Sequence, residues 1–422
     1  MTLIRNVVVT GIGVVSPIGV GKAAFWDSLV AGRSGVTVSD FLTTSNMPVP
    51  IGAHVKDFDA KQFVRPRKSL KVMCHEIQMA VSAATIAGDD AAIAPNTIDP
   101  DRLGTVFGSE MFYGELEELV EVYRRCREEG QFQFHRWGER MGTDIFPLFM
   151  LKYLPNMAAC HVAIAYDARG PNNTISLGEA SPLLALIEAA RVIQRDHADV
   201  MFVGGAGNRL HLTPMLYRGT SNLSKRVDRP ESASRPFDLD RDGLVNGEGA
   251  CVIVLESESH AQRRGAKVIA RFLGGGQGYE SAEVGHVRTS NGISQSIRRA
   301  LRDAELAPED IRYVKAHGLS TVEDDILEAQ AIRDCLGDTP VTAPKSLFGS
   351  LGAGGAAVEA AVGMLSLEHG LIPATLNYER PDPRCPVNVI HGQPEPMPTP
   401  SAAMLLNQSG TGQTAAVILG SP

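Results

Sequence analysis

The sequence predicts an α/β protein in which helices cover β-sheets, on the strength of three observations. Apolar strand-like runs alternate with helical runs in both halves of the chain. The 422 residues, 44% of them hydrophobic, exceed one ordinary core, so two core-forming halves are expected. The composition changes at His260-Ala261-Gln262-Arg263-Arg264-Gly265. We therefore expect an N-terminal half at 1–260 and a C-terminal half at 261–422.

Charge and cysteine content narrow the class of protein. The net charge of −8 argues against nucleic acid or an anionic membrane as the main partner, because either would need a dominant basic surface. The six cysteines lack the short spacings of zinc sites, and a chain of this size needs no disulfide framework. No apolar run approaches the roughly 20 residues of a membrane span, and the N-terminus enters a strand without a signal peptide. We expect a soluble cytoplasmic protein without a metal.

The first elements are a strand and two helices. Residues 3–17 form a β-branched run interrupted by Gly11 and Gly13, which predicts a buried strand. Its Gly-Ile-Gly is too short for a dinucleotide fingerprint. Helices are predicted from about Met73 to Ala87 and from Glu115 to Glu129.

A basic cluster lies at the entrance to the first of these helices, at Arg65, Arg67 and Lys68, with Lys71 one turn further on. A solvated surface is the ordinary interpretation of such a cluster. A docking site for an acidic partner is the alternative.

The central feature is a crossing from strand to helix at 174–186. A buried strand end is expected at Thr174-Ile175-Ser176, a tight turn at Gly178, and a helix over Leu183–Ile193. Glu179 then lies on the elbow, where a helix N-terminus offers partial positive charge and free N–H groups. Enzymes with α/β folds present nucleophiles at such elbows. Glutamate is also simply a favourable residue for a first helical turn.

Strands and a helix of the second half lead to a second candidate site. After a strand at Val252–Glu256, the pattern predicts a strand at Val268–Leu273, a helix near Ser294–Asp303 and a strand at Ile311–Ala316. His317 follows directly on the last of these strands. The ends of strands are where α/β folds collect functional groups.

Several segments resemble the β-ketoacyl synthases, condensing enzymes of the thiolase-fold superfamily. They are Val-Thr-Gly-Ile-Gly-Val-Val-Ser-Pro-Ile-Gly near the N-terminus, Ala-Asp-Val-Met-Phe-Val-Gly-Gly at 198–205, and Ser-Arg-Pro-Phe-Asp with Arg-Asp-Gly-Leu-Val-Asn-Gly-Glu-Gly-Ala at 234–250. The resemblance covers nearly the whole chain. It implies a thiolase-like fold, two similar halves forming a five-layered αβαβα sandwich. It also aligns Glu179 with the catalytic cysteine.

The resemblance implies roles for further residues. His317 matches the family's first catalytic histidine and Lys345 its characteristic lysine, whereas Ser350 takes the place of the second histidine. In the family's glycine loop Thr411 replaces the gating phenylalanine, and Gly410 and Thr411 are expected to bind substrate. Phe202 is assigned to substrate binding as well. The cluster Arg65, Arg67 and Lys68 matches the helix entrance that receives the acyl carrier protein.

The changed site predicts a chain that does not condense by itself, because condensation needs a thiolate and enolate-stabilising donors. The favoured interpretation is a partner subunit similar to a chain-length factor, which pairs through its elbow-side half with an active ketosynthase in fatty acid, polyketide or polyene synthesis. One alternative is a malonyl-carrier-protein decarboxylase that uses His317. Another is a non-catalytic homodimer that binds carrier protein or lipid. No cofactor is expected.

Overall fold

Strands and helices alternate along both halves of the chain. The structure is a computed structural model that describes residues 5–281 and 288–422. The strands in chain order are β1 (Val7–Ser16), β2 (Gly19–Val20), β3 (Thr37–Val38), β4 (Ile51–Gly52), β5 (Leu103–Ser109), β6 (Arg127–Glu128), β7 (Gln131–Phe132), β8 (Asn172–Ser176), β9 (Val200–Asn208), β10 (Glu248–Ser257), β11 (Ala270–Tyr279), β12 (Ile311–Lys315), β13 (Pro340–Thr342), β14 (Leu371–Ile372), β15 (Asn388–Val389), β16 (Glu395–Pro396), β17 (Ala402–Gln408) and β18 (Gln413–Gly420).

The helices connect these strands and cover the sheet that they form. In chain order they are α1 (Lys22–Val30), α2 (Asp40–Thr44), α3 (His75–Asp90), α4 (Leu116–Arg125), α5 (Trp137–Asp144), α6 (Phe149–Tyr153), α7 (Met157–Tyr166), α8 (Ser181–Gln194), α9 (Leu212–Arg218), α10 (Glu258–Arg263), α11 (Asn291–Ala304), α12 (Val322–Leu336), α13 (Lys345–Phe348) and α14 (Gly355–His369). No helix in the described ranges has both the length and the apolar character needed to cross a bilayer.

The main sheet runs continuously through both halves. Its order is β15-β13-β12-β17-β18-β11-β1-β10-β9-β5-β8, with β2 paired to β1. Strand β1 joins the halves, because it is antiparallel both to β10 and to β11. Strands β8 and β9 run parallel to β5, and β17 runs parallel to β12. The carboxyl ends of each parallel set therefore meet at one edge, where α/β proteins place their sites.

Five layers follow from how the helices pack on this sheet. Helices α3 and α7 cover the outer face of the first half, and α11 and α12 cover the second. Helices α8 and α14 lie between the two halves and contact strands of both. The residues of these two helices share one buried apolar cluster with β9, β10, β17 and β18. The predicted αβαβα sandwich is confirmed.

Helix α14 illustrates why this layering suits the sequence. It is apolar nearly all round, which is typical of a helix buried on every side. Small residues let strands approach it closely: a Cβ on Gly363 would lie 2.4 Å from Leu405 of β17. Glu359 is the exception, a charged residue in the middle of the helix with no exposed surface. Its partners belong to the site described below.

Most predicted elements are present, with shifted ends. The run at 3–17 is β1, buried throughout, and residues 3 and 4 lie outside the described part of the chain. The helix predicted at 73–87 is α3, and that predicted at 115–129 is the shorter α4. The expectation of a buried strand before the elbow is wrong. Strand β8 is the edge strand of the sheet, so Asn172, Asn173 and Ser176 are exposed.

Candidate functional site

The elbow forms as the sequence predicts and places Glu179 above the sheet. A turn of 3₁₀ helix at Gly178–Ala180 connects β8 to α8. Gly178 has φ of +65°, a backbone conformation that residues with a Cβ rarely adopt, so glycine permits the tight turn. The elbow faces a cavity of about 890 Å³ that also collects residues after β5, β9, β12 and β17. Residues from both halves therefore meet around Glu179.

Glu179 is bound in an ion-pair network and is not a free carboxylate. Arg209, directly after β9, donates from Nη2 to Glu179 Oε1. The same nitrogen lies 3.3 Å from Glu110, which follows β5 and also accepts from Arg218 at 2.9 Å. Burial lowers the pKa of Arg209, but Glu110 and Glu179 outweigh that effect and raise it. The network keeps Arg209 charged and leaves Glu179 with a fixed partner.

Gly352 makes room for this network. A Cβ at Gly352 would lie 1.9 Å from Glu110 Oε1 and 2.9 Å from Arg209 Nε. The backbone N–H of Ala353 donates to Glu110 at 3.1 Å. The backbone at Gly352 and Ala353, which approaches the elbow from the second half of the chain, therefore leaves room for the ion pair of Arg209 and Glu110.

His317 lines the cavity with a neutral imidazole. Burial and the charge of Lys345 hold the pKa of His317 well below its usual value. Lys345 Nζ lies 3.1 Å from His317 Nδ1 and donates to the His317 carbonyl at 2.8 Å. Because an ammonium group only donates, Nδ1 must accept and Nε2 must carry the ring proton. His317 can therefore act as a hydrogen-bond donor through Nε2.

A buried charge cluster supports His317 from behind. Glu359 of α14 accepts from Lys345 and, at 2.7 Å, from Lys315. Burial raises the pKa of Glu359, but the two ammonium groups outweigh that effect and hold it below its usual value. Asn407 adds a hydrogen bond to Glu359 at 3.0 Å. Glu328 of α12 accepts from the backbone N–H groups of His317 and Gly318, at 2.6 and 2.8 Å.

The glycine loop after β17 is closed by its own side chains. Gly410 and Thr411 line the cavity. Ser409 donates to Gln413 Oε1 at 2.8 Å, and Thr411 donates to the same oxygen. The hydroxyl oxygens of Ser409 and Thr411 are 2.9 Å apart. Side chains at these positions are engaged with each other, and none is aromatic.

Three predicted site residues, Phe202, Ser350 and Lys345, lie outside the lining of the cavity. Phe202 of β9 is completely buried in the outer core, where its ring packs against Tyr166 with centroids 4.4 Å apart. It does not line the cavity, so its assignment to substrate binding is wrong for this site. Ser350 is buried and hydrogen-bonded through its backbone to Val245 and Gly247. It also lies outside the cavity lining.

The basic cluster lies on the outer surface before α3. Arg67, Lys68 and Lys71 are exposed on a turn of 3₁₀ helix at Arg67–Val72. Arg65 is exposed too, but its guanidinium donates to the backbone carbonyls of Lys61, Gln62 and Val64.

Sequence reasoning missed Glu110, Arg209 and Gln408. Each ends or directly follows a strand of a parallel set, so the rule that sites gather at the carboxyl ends of such strands could have found them. It also missed Lys315 and Glu359. In the described ranges no group of three or more His, Cys, Asp or Glu side chains is arranged to hold a metal ion.

Family models match segments in both halves of the chain. The family model described as "Beta-ketoacyl synthase, N-terminal domain" matches residues 4–261, and "Beta-ketoacyl synthase, C-terminal domain" matches residues 275–379. The chain is 34% identical over 397 residues to the 3-oxoacyl-[acyl-carrier-protein] synthase 2 of Synechocystis sp., covering 92% of each protein. It is also 34% identical over 404 residues to the synthase 2 of Coxiella burnetii, covering 93% of each.

Solved structures include assemblies of ketosynthases with other proteins. The ishigamide ketosynthase/chain length factor superposes with a TM-score of 0.84 at 28% identity, covering 99% of each chain. A type II polyketide synthase acyl-carrier protein in complex with its ketosynthase, bound to the hexaketide, gives a TM-score of 0.84 at 28% identity, again covering 99% of each chain.

Proposed function

The chain belongs to the β-ketoacyl synthase family, and from that premise we propose that it is a non-condensing partner subunit of the chain-length-factor type. It would pair with an active ketosynthase in fatty acid or type II polyketide synthesis, including polyenes. The similar ishigamide ketosynthase/chain length factor supports the pairing, and the structure with a bound acyl-carrier protein supports carrier protein as a partner.

The observation that carries this proposal is the salt bridge between Glu179 and Arg209 at the elbow. A condensing enzyme needs a nucleophile there that forms a stable thioester. A carboxylate paired with a buried guanidinium is a weak nucleophile, and its charge would oppose an incoming malonyl carboxylate. None of the six cysteines lines the cavity.

One of the hydrogen-bond donors that condensation requires is also missing. His317 lines the cavity, while Ser350, at the second histidine position, lies outside the lining. The loss of a single preorganised donor of this type costs about 10²–10³ in rate. The absence of the nucleophile and of one hydrogen-bond donor therefore supports the role of a partner subunit.

The elbow-side half presents a surface suited to a dimer. Strand β8 ends the sheet, and within the described residues its outer edge has no paired strand. Unpaired strand edges invite pairing with another chain. In the same half of the chain, large apolar residues are exposed between positions 111 and 164, namely Met111, Leu116, Val120, Tyr123, Phe132, Phe134, Phe146, Leu148, Met150, Leu151 and Ile164.

Native mass spectrometry of the complex recovered from the native host tests the pairing. We expect a 1:1 heterodimer with a family member that keeps the cysteine. A homodimer would favour the role of a non-catalytic binding protein. A strictly monomeric chain at micromolar concentration, with candidate ketosynthases present, would contradict the proposal.

Carrier-protein docking is proposed for the exposed cations Arg67 and Lys68, together with Arg65. Changing Arg67 and Lys68 to glutamate should weaken association with the acyl carrier protein by about tenfold at low salt. It should also flatten the salt dependence of the affinity, because exposed charges at the rim of an interface attract the partner as it approaches. Surface plasmon resonance over a salt series measures both effects.

The matched control for this prediction changes Arg298 and Arg302 to glutamate. Both are exposed on α11, in the outer layer of the second half, so the same charge change is made elsewhere. The control should keep wild-type affinity. Equal affinities of the two double variants at low salt would remove the cluster from the proposal.

Malonyl decarboxylation is the second candidate function, because His317 lines the cavity. Glu179→Gln separates the two functions. A partner subunit should keep its fold, lose no more than about 1 kcal/mol of stability, since the amide oxygen still accepts from Arg209, and support synthesis as before. The measurement is release of labelled carbon dioxide from malonyl carrier protein. If this chain releases carbon dioxide and Glu179→Gln abolishes the release with the fold intact, the carboxylate is catalytic.

A further inference from the structure

A second cavity, of about 350 Å³, is lined by three histidines and three carboxylates and shares no lining residue with the cavity at the elbow. These six side chains are His54, His75, His211, Glu115, Glu117 and Glu248. Helix α9 borders both cavities. Its first residue, Leu212, lines this one, and its Met215 and Arg218 line the other. A change at the start of α9 is therefore positioned to reach the wall of the elbow cavity.

His211 holds α9 with one ring nitrogen and faces α4 with the other. It directly precedes α9, and its Nδ1 accepts from the backbone N–H of Thr213 at 3.2 Å, which caps the helix. Its Nε2 lies 3.2 Å from Oε2 of Glu115, the residue directly before α4. Because Nδ1 accepts, the neutral ring carries its proton on Nε2. The contact with Glu115 is not aligned as a hydrogen bond, so its strength depends on charge.

A second proton on His211 changes these two contacts in opposite directions. A protonated imidazole carries N–H on both nitrogens, so Nδ1 no longer accepts from Thr213 and α9 loses its side-chain cap. At the same time the contact with Glu115 becomes one between two full charges, which holds the start of α4 more firmly. The proton therefore exchanges one helix contact for the other.

The charges around His211 favour uptake of that proton. Burial lowers the pKa of His211, but Glu115, Glu76 and Glu117 outweigh that effect and raise the pKa above its usual value. The charge of His211 in turn lowers the pKa of Glu115, so this carboxylate stays ionised. The ionisable groups that surround His211 and Glu115 are His75 and Glu76 of α3, Glu117 of α4, Lys152 of α6, Glu248 of β10 and His54 after β4.

Two of these neighbours also titrate in the folded chain. Burial lowers the pKa of His75, but Glu248 outweighs that effect and raises it. Burial raises the pKa of Glu76. Glu248 itself stays ionised, because His54 and His75 outweigh its burial and lower its pKa to about 2. A test of His211 therefore needs variants of His75 and Glu76 beside it.

We propose that His211 is a proton switch that couples α9 to α4. Without a proton on Nδ1 it caps α9 and steadies Met215 and Arg218 in the wall of the elbow cavity. With that proton it releases the start of α9 and holds α4, whose Leu116 and Val120 belong to the exposed apolar surface of the elbow-side half. Acid therefore loosens one wall of the cavity and steadies part of the surface proposed for pairing.

Hydrogen–deuterium exchange of the full chain, corrected for intrinsic rates, tests the switch at about pH 6 and about pH 8.5. From the higher to the lower pH, the protection of the α9 amides should fall about fivefold, the effect of one lost cap. The protection of α4 should rise about twofold, the effect of a half-exposed ion pair. In His211→Asn both changes should disappear, because asparagine also caps helices and takes up no proton.

His197→Asn is the matched control, because His197 is exposed after α8 and lines neither cavity. It should keep both changes, as should His75→Asn and Glu76→Gln. Unchanged α9 protection in wild type, changes of the same sign in both helices, or changes that persist in His211→Asn would overturn the inference. So would their loss in a folded His75→Asn or Glu76→Gln chain. The measurement needs no partner, so its outcome is independent of the search for a ketosynthase heterodimer.

Discussion

Glu359→Gln should lower the free energy of unfolding by about 3–5 kcal/mol, because it leaves two buried ammonium groups without a counter-charge. Lys315 and Lys345 both donate to Glu359, and the three side chains are 0–2% exposed. Burial already lowers the pKa of Lys315 despite the carboxylate, so removal of that charge should drive Lys315 toward its neutral form. Chemical denaturation at pH 7 measures the loss.

The stability deficit of Glu359→Gln should become smaller as the pH rises. When Lys315 of the folded variant loses its proton, the unfolded chain binds more protons than the folded one. Stability then rises with pH, so the deficit at pH 9 should be smaller than at pH 7.

Glu368→Gln is the control on the same helix. Glu368 pairs with Lys267, which is 73% exposed, and a pair of that kind contributes about 1 kcal/mol or less. Equal losses in the two variants would contradict the account of a buried charge cluster behind His317.

Glu179→Cys should fail to restore condensation, although it returns the nucleophile to the elbow. One donor of the enolate site is missing at Ser350, and each missing donor costs about 10²–10³ in rate. In the glycine loop, Thr411 replaces the family's gating phenylalanine, and its side chain hydrogen-bonds with Ser409 and Gln413. The new thiol would also face Arg209 and Glu110 in a polar wall. Chain extension from malonyl carrier protein should stay at background.

A control cysteine separates acylation from condensation. Glu188→Cys places a thiol on the same helix, on a residue whose side chain is 40% exposed. Mass spectrometry reports acyl transfer to each thiol, and a radiolabel assay reports extension. Extension by Glu179→Cys above the level of Glu188→Cys would show that the remaining site is competent and that Glu179 alone blocks it.

The sequence was sufficient for the architecture because patterns of apolar residues decide which elements form. The buried run of β1, the turn at Gly178 and the helix after it follow directly from residue type. The environment of β8 was mispredicted because Thr174 and Ile175 suggest burial, whereas exposure depends on which strand lies at the sheet edge. Strand order is a property of the whole chain, and a local pattern does not contain it.

The candidate site could be predicted only in part, because the contacts between its side chains also depend on the fold of the whole chain. Glu179, His317 and Thr411 were found because they replace or match residues at family motifs. The partner of Glu179 is Arg209, 30 positions away, and Glu110 is further still. Such pairs depend on which strand ends meet in space. Phe202 shows the opposite error, since an aromatic residue on a strand can face the outer core as readily as a cavity.

Reconstituted synthesis tests the central claim, that this chain acts through a partner. The measurement is the rate of carbon–carbon bond formation from labelled malonyl carrier protein with this chain alone, with the co-purified ketosynthase alone, and with both. We expect background turnover by this chain alone and full synthesis only from the pair, unchanged when this chain carries Glu179→Gln. Condensation by the isolated chain, or a ketosynthase equally active without it, would contradict the account.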